Sequence, residues 1–168
     1  RIAPWIQPFD SRQMDQADIK NAPADVLRAN GPRILFIGRL HPEKLGLDAL
    51  KIFALAVKDD QPGTLIYVGD GCERERIEEE ARLLGIHDRI FITGLLKHDQ
   101  VLSAMKAADF SIATMQGSAL LEGLAAGLAT VAYDHETHRA LIKNGRNGFL
   151  VPHRDIESAA NVLREMLL

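Results

Sequence analysis

Apolar residues fall along this chain in two alternating kinds of run. The first kind is short and mostly apolar, continuous in Ile34-Leu35-Phe36-Ile37 and nearly so in Thr64-Leu65-Ile66-Tyr67-Val68, Arg89-Ile90-Phe91-Ile92, Phe110-Ser111-Ile112-Ala113, Ala129-Thr130-Val131-Ala132-Tyr133 and Gly148-Phe149-Leu150-Val151. Runs of this length without polar alternation predict strands buried on both faces. The second kind spaces its apolar residues by three and four. Residues 47–58 carry Leu47, Leu50, Phe53, Ala54 and Val57 on one helical face, and residues 99–108 carry Val101, Leu102, Met105 and Ala108. Residues 73–84, 118–126, 136–143 and 155–167 read as helices too, with Gly85, Gly127 and Asn144-Gly145 placed to end three of them.

Strand and helix alternate through the whole periodic region. That order predicts right-handed crossovers and an α/β fold: a doubly wound, Rossmann-like parallel sheet of about six strands with helices on both faces. Ligands of such sheets bind beyond the carboxyl ends of the strands, so the loops after them are where chemistry is expected. Residues 1–32 lack the periodicity. Pro4, Pro8, Pro23 and Pro32 interrupt them, and at most one short helix fits, near 24–29. They read as an interdomain linker or entry segment that packs on a domain of residues 33–168, with Trp5 as a packing anchor.

Composition narrows the class. The 168 residues are enough for one domain with a real core, and 46% hydrophobic content excludes a disordered chain. A formal net charge of -3 gives no basic surplus, so no nucleic-acid partner is expected. The single cysteine, Cys72, cannot form an internal disulfide, which fits a reducing, cytoplasmic setting. No apolar run approaches the ~20 residues of a membrane helix. The chain starts at Arg1 without a signal peptide and is expected to be a piece of a longer protein.

Four strand-end loops offer candidate chemistry. Gly38-Arg39-Leu40-His41-Pro42-Glu43-Lys44 presents two cations, which either clamp a diphosphate or are plain solvated charges. Gly69-Asp70-Gly71 is a turn or a close-approach ligand loop; Arg74 stands where a dinucleotide fingerprint needs its third glycine, which excludes a nicotinamide site. Thr93-Gly94-Leu95-Leu96 is a tight turn or a backbone cradle for a flat base with apolar cover. The fourth, from Thr114 through Gly117, Ser118 and Ala119 to Glu122, joins a strand to a helix. Free amides at that helix start bind an anion, Gly117 lets it approach, and the Glu122 carboxylate can accept from both hydroxyls of a ribose. Glu122 is equally readable as an acid favoured by the helix dipole.

Other features carry no site. His135-Glu136-Thr137-His138 has its histidines three apart where a zinc helix needs four, so no metal is expected. Charges over 73–82 at helical spacing make a solvated, ion-paired face. Cys72 has no histidine near it in sequence, and Ser118 lacks the glycine setting of a hydrolase nucleophile.

The motifs, taken in order, resemble the carboxyl-terminal, donor-binding domain of retaining family 4 (group 1) glycosyltransferases of GT-B fold. Trp5-Ile6-Gln7-Pro8-Phe9 looks like the interdomain linker, and residues 38–44 are similar to the family's Gly-Arg-Leu-x-x-Glu-Lys. Val68-Gly69-Asp70-Gly71, Phe91-Ile92-Thr93-Gly94, Ala107-Ala108-Asp109, the signature helix 121–127 and the closing stretch 144–151 follow in register. The resemblance departs at two positions. Thr114 stands where the family places a glutamate eight residues before Glu122, which normally contacts the sugar near its reacting end, and Gln116 is the nearby polar residue. Leu45 separates Lys44 from Gly46, where the family joins lysine to glycine.

The resemblance implies an enzyme moving a sugar from a nucleotide-diphosphate sugar to an acceptor with retention, in polysaccharide or glycoconjugate synthesis. Arg39 and Lys44 would be the catalytic cations on the diphosphate. Gly38, Gly69, Thr93, Gly94, Leu95, Leu96, Thr114, Gly117, Ser118, Ala119 and Glu122 would bind the donor. No cofactor or metal would be required. The partners implied are the donor, an amino-terminal acceptor domain of the same protein, and the inner membrane face by peripheral association of the full protein; the isolated piece would not turn over. A non-catalytic nucleotide- or partner-binding relative, and a sugar-nucleotide epimerase of the same fold, remain open readings.

Overall fold

The computed structural model describes residues 11–168 apart from residues 59 and 60; the linker motif at 5–9, with Trp5, lies outside the described residues. Six strands, β1 (Arg33–Ile37), β2 (Thr64–Val68), β3 (Ile90–Ile92), β4 (Phe110–Ala113), β5 (Ala129–Tyr133) and β6 (Gly148–Val151), form one sheet in the order β3-β2-β1-β4-β5-β6. Every neighbouring pair is parallel. All six match the short apolar runs. The order reverses between β1 and β4, and in sheets of this type the loops at such a switch point diverge to form the crevice where ligands bind.

Helices cover both faces as the strand-helix alternation requires: α1 (Ser11–Gln16), α2 (Ala24–Arg28), α3 (Gly46–Ala56), α4 (Arg74–Leu83), α5 (His98–Ala107), α6 (Ser118–Ala125), α7 (Glu136–Leu141) and α8 (Ile156–Leu167). Successive strand residues point to opposite faces. Ile34, Phe36, Leu65 and Tyr67 therefore pack with Leu50 and Phe53 of α3, Ile77 of α4 and Leu163 of α8. Leu35 and Ile66 pack on the other side with Leu102 and Met105 of α5. Each such side chain, fully withdrawn from water, contributes on the order of 2 kcal/mol. Helix limits differ from the periodicity by one to two residues at most ends, as fraying and capping make usual.

The segment before β1 is more ordered than its prolines suggest. Alongside the expected helix at 24–28 it forms α1 and a 3-10 turn at Ile19–Asn21. Met14, Ala22, Val26 and Ala29 are buried against Leu35, Ile66 and Leu102. A helix of one or two turns holds too few residues to show a period, and it forms because tertiary contacts bury it.

Candidate functional site

The loops after β1 and β4 flank the switch point, and hydrogen bonds stitch them together. The Lys44 ammonium donates to the Met115 carbonyl across the crevice (3.1 Å). The Thr114 hydroxyl donates back to the Lys44 carbonyl (2.6 Å). Lys44 is held there by a short 3-10 turn at Pro42–Lys44, which His41 caps and Pro42 starts. Leu45 then takes the left-handed conformation (φ 54°, ψ 42°) that leads into α3. That conformation suits glycine, the residue the resemblance expects next to the lysine, and here Leu45 adopts it. The Tyr67 hydroxyl, fully buried, donates to the Gly46 carbonyl (2.9 Å) and fixes the first turn of α3. Arg39 is exposed, and its guanidinium has no partner among the described residues.

Opposite Lys44 lies the start of α6. Gly117 is its N-cap, without a capping side chain, and a Cβ added at Gly117 would meet open space. The amides of Ser118 and Ala119 have no partner among the described residues. These are the unsatisfied donors of a helix start, aimed outward and carrying its partial positive charge. Glu122 lies one turn on, its side chain 17% exposed, with His98 of α5 at 3.8 Å. Burial pushes the Glu122 carboxyl above its ordinary range, and the His98 charge opposes that only in part. The arrangement offers two cations, two open amides and one acceptor carboxylate: the complement of a ribose joined to a diphosphate.

The other two loops brace this pair. Gly69 is buried, and a Cβ there would stand 2.1 Å from the Gly38 carbonyl oxygen, so the glycine serves close approach of two backbones. Gly71 meets the Leu40 carbonyl in the same way. Leu40 N donates to the Asp70 carbonyl (2.9 Å), which closes the second loop on the first. Thr93 N donates to the Tyr67 carbonyl (3.0 Å), and Gly94 bridges Gly69. Leu95 beside them is 83% exposed, while Leu96 packs partly against the α5-side core. Gly38 itself faces open space.

Thr114, at the position of the family's first glutamate, is fully buried, and its hydroxyl is spent on the Lys44 carbonyl. Gln116 accepts from Met115 N through Oε1 (2.9 Å), while its Nε2 is buried without a partner. Two histidines of the site were not legible as such. His98 stands one residue before the helix that the periodicity marks at 99–108, and the structure makes it the first residue of α5. His138 has no exposed surface and stands 2.8 Å from the Gln116 carbonyl. Among the described residues no cluster of histidines, cysteines or carboxylates has metal-holding geometry, and no helix is long and apolar enough to cross a membrane. The larger open clefts lie elsewhere. One, of about 330 Å³, sits at the amino ends of the strands beside Arg28, Gln61 and Arg89, and it lacks open helix amides and convergent loops.

The family described as "Glycosyl transferases group 1" matches residues 18–168. An exopolysaccharide phosphotransferase of Streptomyces coelicolor is 34% identical over 143 residues, 82% of this chain and 15% of that protein. The alpha-monoglucosyldiacylglycerol synthase of Streptococcus pneumoniae is 28% identical over 150 residues, 86% of this chain and 34% of that protein. Among solved structures, Anabaena HepE in complex with UDP and glucose superposes with a TM-score of 0.71 at 26% identity, covering 88% of this chain and 44% of that one. The chain thus spans about a third or less of the length of these two curated relatives. Motif order, parallel sheet, crevice and family match agree, and the chain belongs to the group 1 glycosyltransferases of GT-B fold.

Proposed function

We propose that this chain is the donor-binding half of a retaining glycosyltransferase, and that its crevice holds a nucleotide-diphosphate sugar. The observation that carries the reading is the reciprocal Lys44–Met115 and Thr114–Lys44 pairing, which sets a lysine opposite the open amides of α6. An ammonium has three donors, so Lys44 keeps two for a phosphate while holding Met115. Arg39 adds a bidentate donor pair from the same loop. As the bond from sugar to diphosphate breaks, negative charge grows on the leaving phosphate oxygens. The tethered Lys44 ammonium, the nearby Arg39 guanidinium and two oriented amides stabilise that charge more than the ground state, which lowers the barrier and leaves no step that requires a metal. Glu122 accepts from the ribose hydroxyls, and the loop at 93–96 lies where a base would rest, with Leu95 as exposed apolar cover.

The acceptor, and with it sugar transfer, belongs to an amino-terminal domain of the same protein in this reading. The isolated piece then binds nucleotide weakly and does not turn over. Cytoplasmic placement with peripheral attachment to the inner membrane face is part of the proposal; the S. pneumoniae relative, named for a glucosylated diacylglycerol, supports it.

Titration calorimetry of the full-length protein with UDP and with GDP tests the site. Glu122→Ala removes two hydrogen bonds to a carboxylate and is expected to weaken the preferred nucleotide about 30- to 100-fold. Absence of binding by either nucleoside diphosphate overturns the reading. Thr114 supports a second reading, a non-catalytic relative, because no carboxylate stands where the sugar's reacting end is expected. A product assay with a panel of sugar nucleotides and acceptors separates the two. Transfer to an acceptor excludes the non-catalytic reading, and an altered free sugar or donor without transfer points to the epimerase.

A further inference from the structure

His138 of α7 has no exposed surface, and both of its ring nitrogens face backbone carbonyl oxygens. Nδ1 is 2.8 Å from the carbonyl of Tyr133 at the end of β5. Nε2 is 2.8 Å from the carbonyl of Gln116 in the loop before α6. Carbonyl oxygens only accept, so two hydrogen bonds here need two ring N–H groups, and only the imidazolium has both. A neutral ring satisfies one carbonyl and leaves the other buried contact without a proton. Burial favours that neutral state and pulls the ring below its ordinary value, although the two carbonyls pull the other way. The pocket is therefore shaped for a proton that its desolvation resists.

The surroundings say what would supply the missing stabilisation. Gln116 immediately precedes Gly117, the N-cap of α6, and the amides of Ser118 and Ala119 that follow have no partner among the described residues. Around the ring stand His135, the N-cap of α7, its ring centroid 5.8 Å away, and Asp134, whose carboxylate accepts from Arg139 at 2.8 Å. Glu136 lies further out on α7, and Lys44 reaches the Met115 carbonyl one residue from Gln116. His135 disfavours a second positive charge and Asp134 favours it. Among the described residues no carboxylate is hydrogen-bonded to the ring. A diphosphate at the α6 amides brings negative charge to the low-dielectric neighbourhood of the ring, where it acts strongly.

We propose that His138 is a positioning residue for the donor site: it grips the Gln116 carbonyl and takes up a proton as the donor's diphosphate binds, so that a buried imidazolium bonds both carbonyls and fixes the 114–117 loop. This rests on the donor-site reading above. Linkage then makes donor affinity fall as pH rises through neutrality, because binding consumes a proton.

The test is calorimetry of the full-length protein with UDP-glucose and with GDP-mannose. Both phosphates of these donors are esterified, so neither titrates near neutrality. Runs in two buffers of different ionisation enthalpy count the protons exchanged. Wild type is expected to take up a large fraction of one proton per donor bound. His138→Gln keeps one donor for one carbonyl and cannot titrate. It is expected to lose that uptake, flatten the pH profile of affinity, and bind about tenfold more weakly at neutral pH, the equivalent of one charge-assisted hydrogen bond. Glu122 is a second ionisable group at the site, and the difference between wild type and variant isolates His138. Binding with no proton uptake in wild type, or with the same uptake in the variant, overturns the proposal and leaves the donor site standing. Absence of binding by either donor overturns the donor site and this inference together. Should the variant not fold, ring-nitrogen spectra of histidine-labelled wild type decide: a ring that stays neutral when donor is bound overturns the proposal, and one that becomes charged supports it.

Discussion

At the scale of single residues, the buried His138 and the partly buried Glu122 set opposite pH trends. The His138 ring is held below its ordinary 6.5 in the folded chain. Below that value the unfolded chain binds more protons than the folded one, so stability rises with pH across that window. The protein is expected to lose stability as pH falls from about 6.5, and His138→Gln to flatten that slope, measured by urea midpoints at successive pH values. Glu122 behaves the other way. Its carboxyl is raised above its ordinary 4.5, so the folded chain binds more protons there and stability falls as pH rises through the window. The loss persists at neutrality, where the group is ionised in both states. Glu122→Gln is expected to melt slightly higher than wild type at neutral pH while binding nucleotide at least tenfold more weakly, for lack of the charged acceptor. A variant both less stable and fully competent to bind would contradict both parts. Thr114 shows a residue whose meaning needed the structure. Its place in the motif marks a missing carboxylate, and its burial shows the hydroxyl recruited to hold Lys44.

At the scale of elements, the loops hold their shape through backbone contact. Gly69 sits at φ 147° with the Gly38 carbonyl where its Cβ would be. Gly69→Ala must part the loops after β1 and β2, and it is expected to cost about 3 kcal/mol or more, read as a shift in the urea midpoint at unchanged slope. The sequence announced this loop only as a turn or a ligand contact, because a glycine spaced after a strand has the same signature in either role. The strands were legible for a simple reason. Residues such as Leu35 and Ile66 face one helix layer while Ile34 and Leu65 face the other, so consecutive positions within a central strand are apolar. Helices α1 and α2 were not both legible, since one or two turns show no period.

At the scale of the whole molecule, the sheet needs cover on both sides. The α1–α2 segment supplies part of one side by burying Met14 and Val26 on Leu35 and Ile66. A chain that begins at Asn30 is expected to expose that apolar face. The measurement is dye binding together with loss of a cooperative thermal transition, against the 168-residue chain as reference. Retention of a sharp transition would show the segment to be dispensable. The strand order places the β1 and β4 loops side by side although 70 residues separate the Thr114 hydroxyl from the Lys44 carbonyl it meets. Only that order turns dispersed charges into a site.

The sequence by itself determined the alternation of elements, the parallel sheet and the strand-end loops that hold the candidate site residues, because burial on two faces and glycine-marked turns leave a local trace in residue order. It also marked Arg39, Lys44 and Glu122, whose charges stand out at strand and helix ends. What tertiary structure alone decided was pairing. The Lys44 bridge to Met115, the packing of Gly69 on Gly38 and the double carbonyl grip on His138 are contacts between segments far apart in sequence. Such contacts leave no period, since each depends on where the strands lie in the sheet.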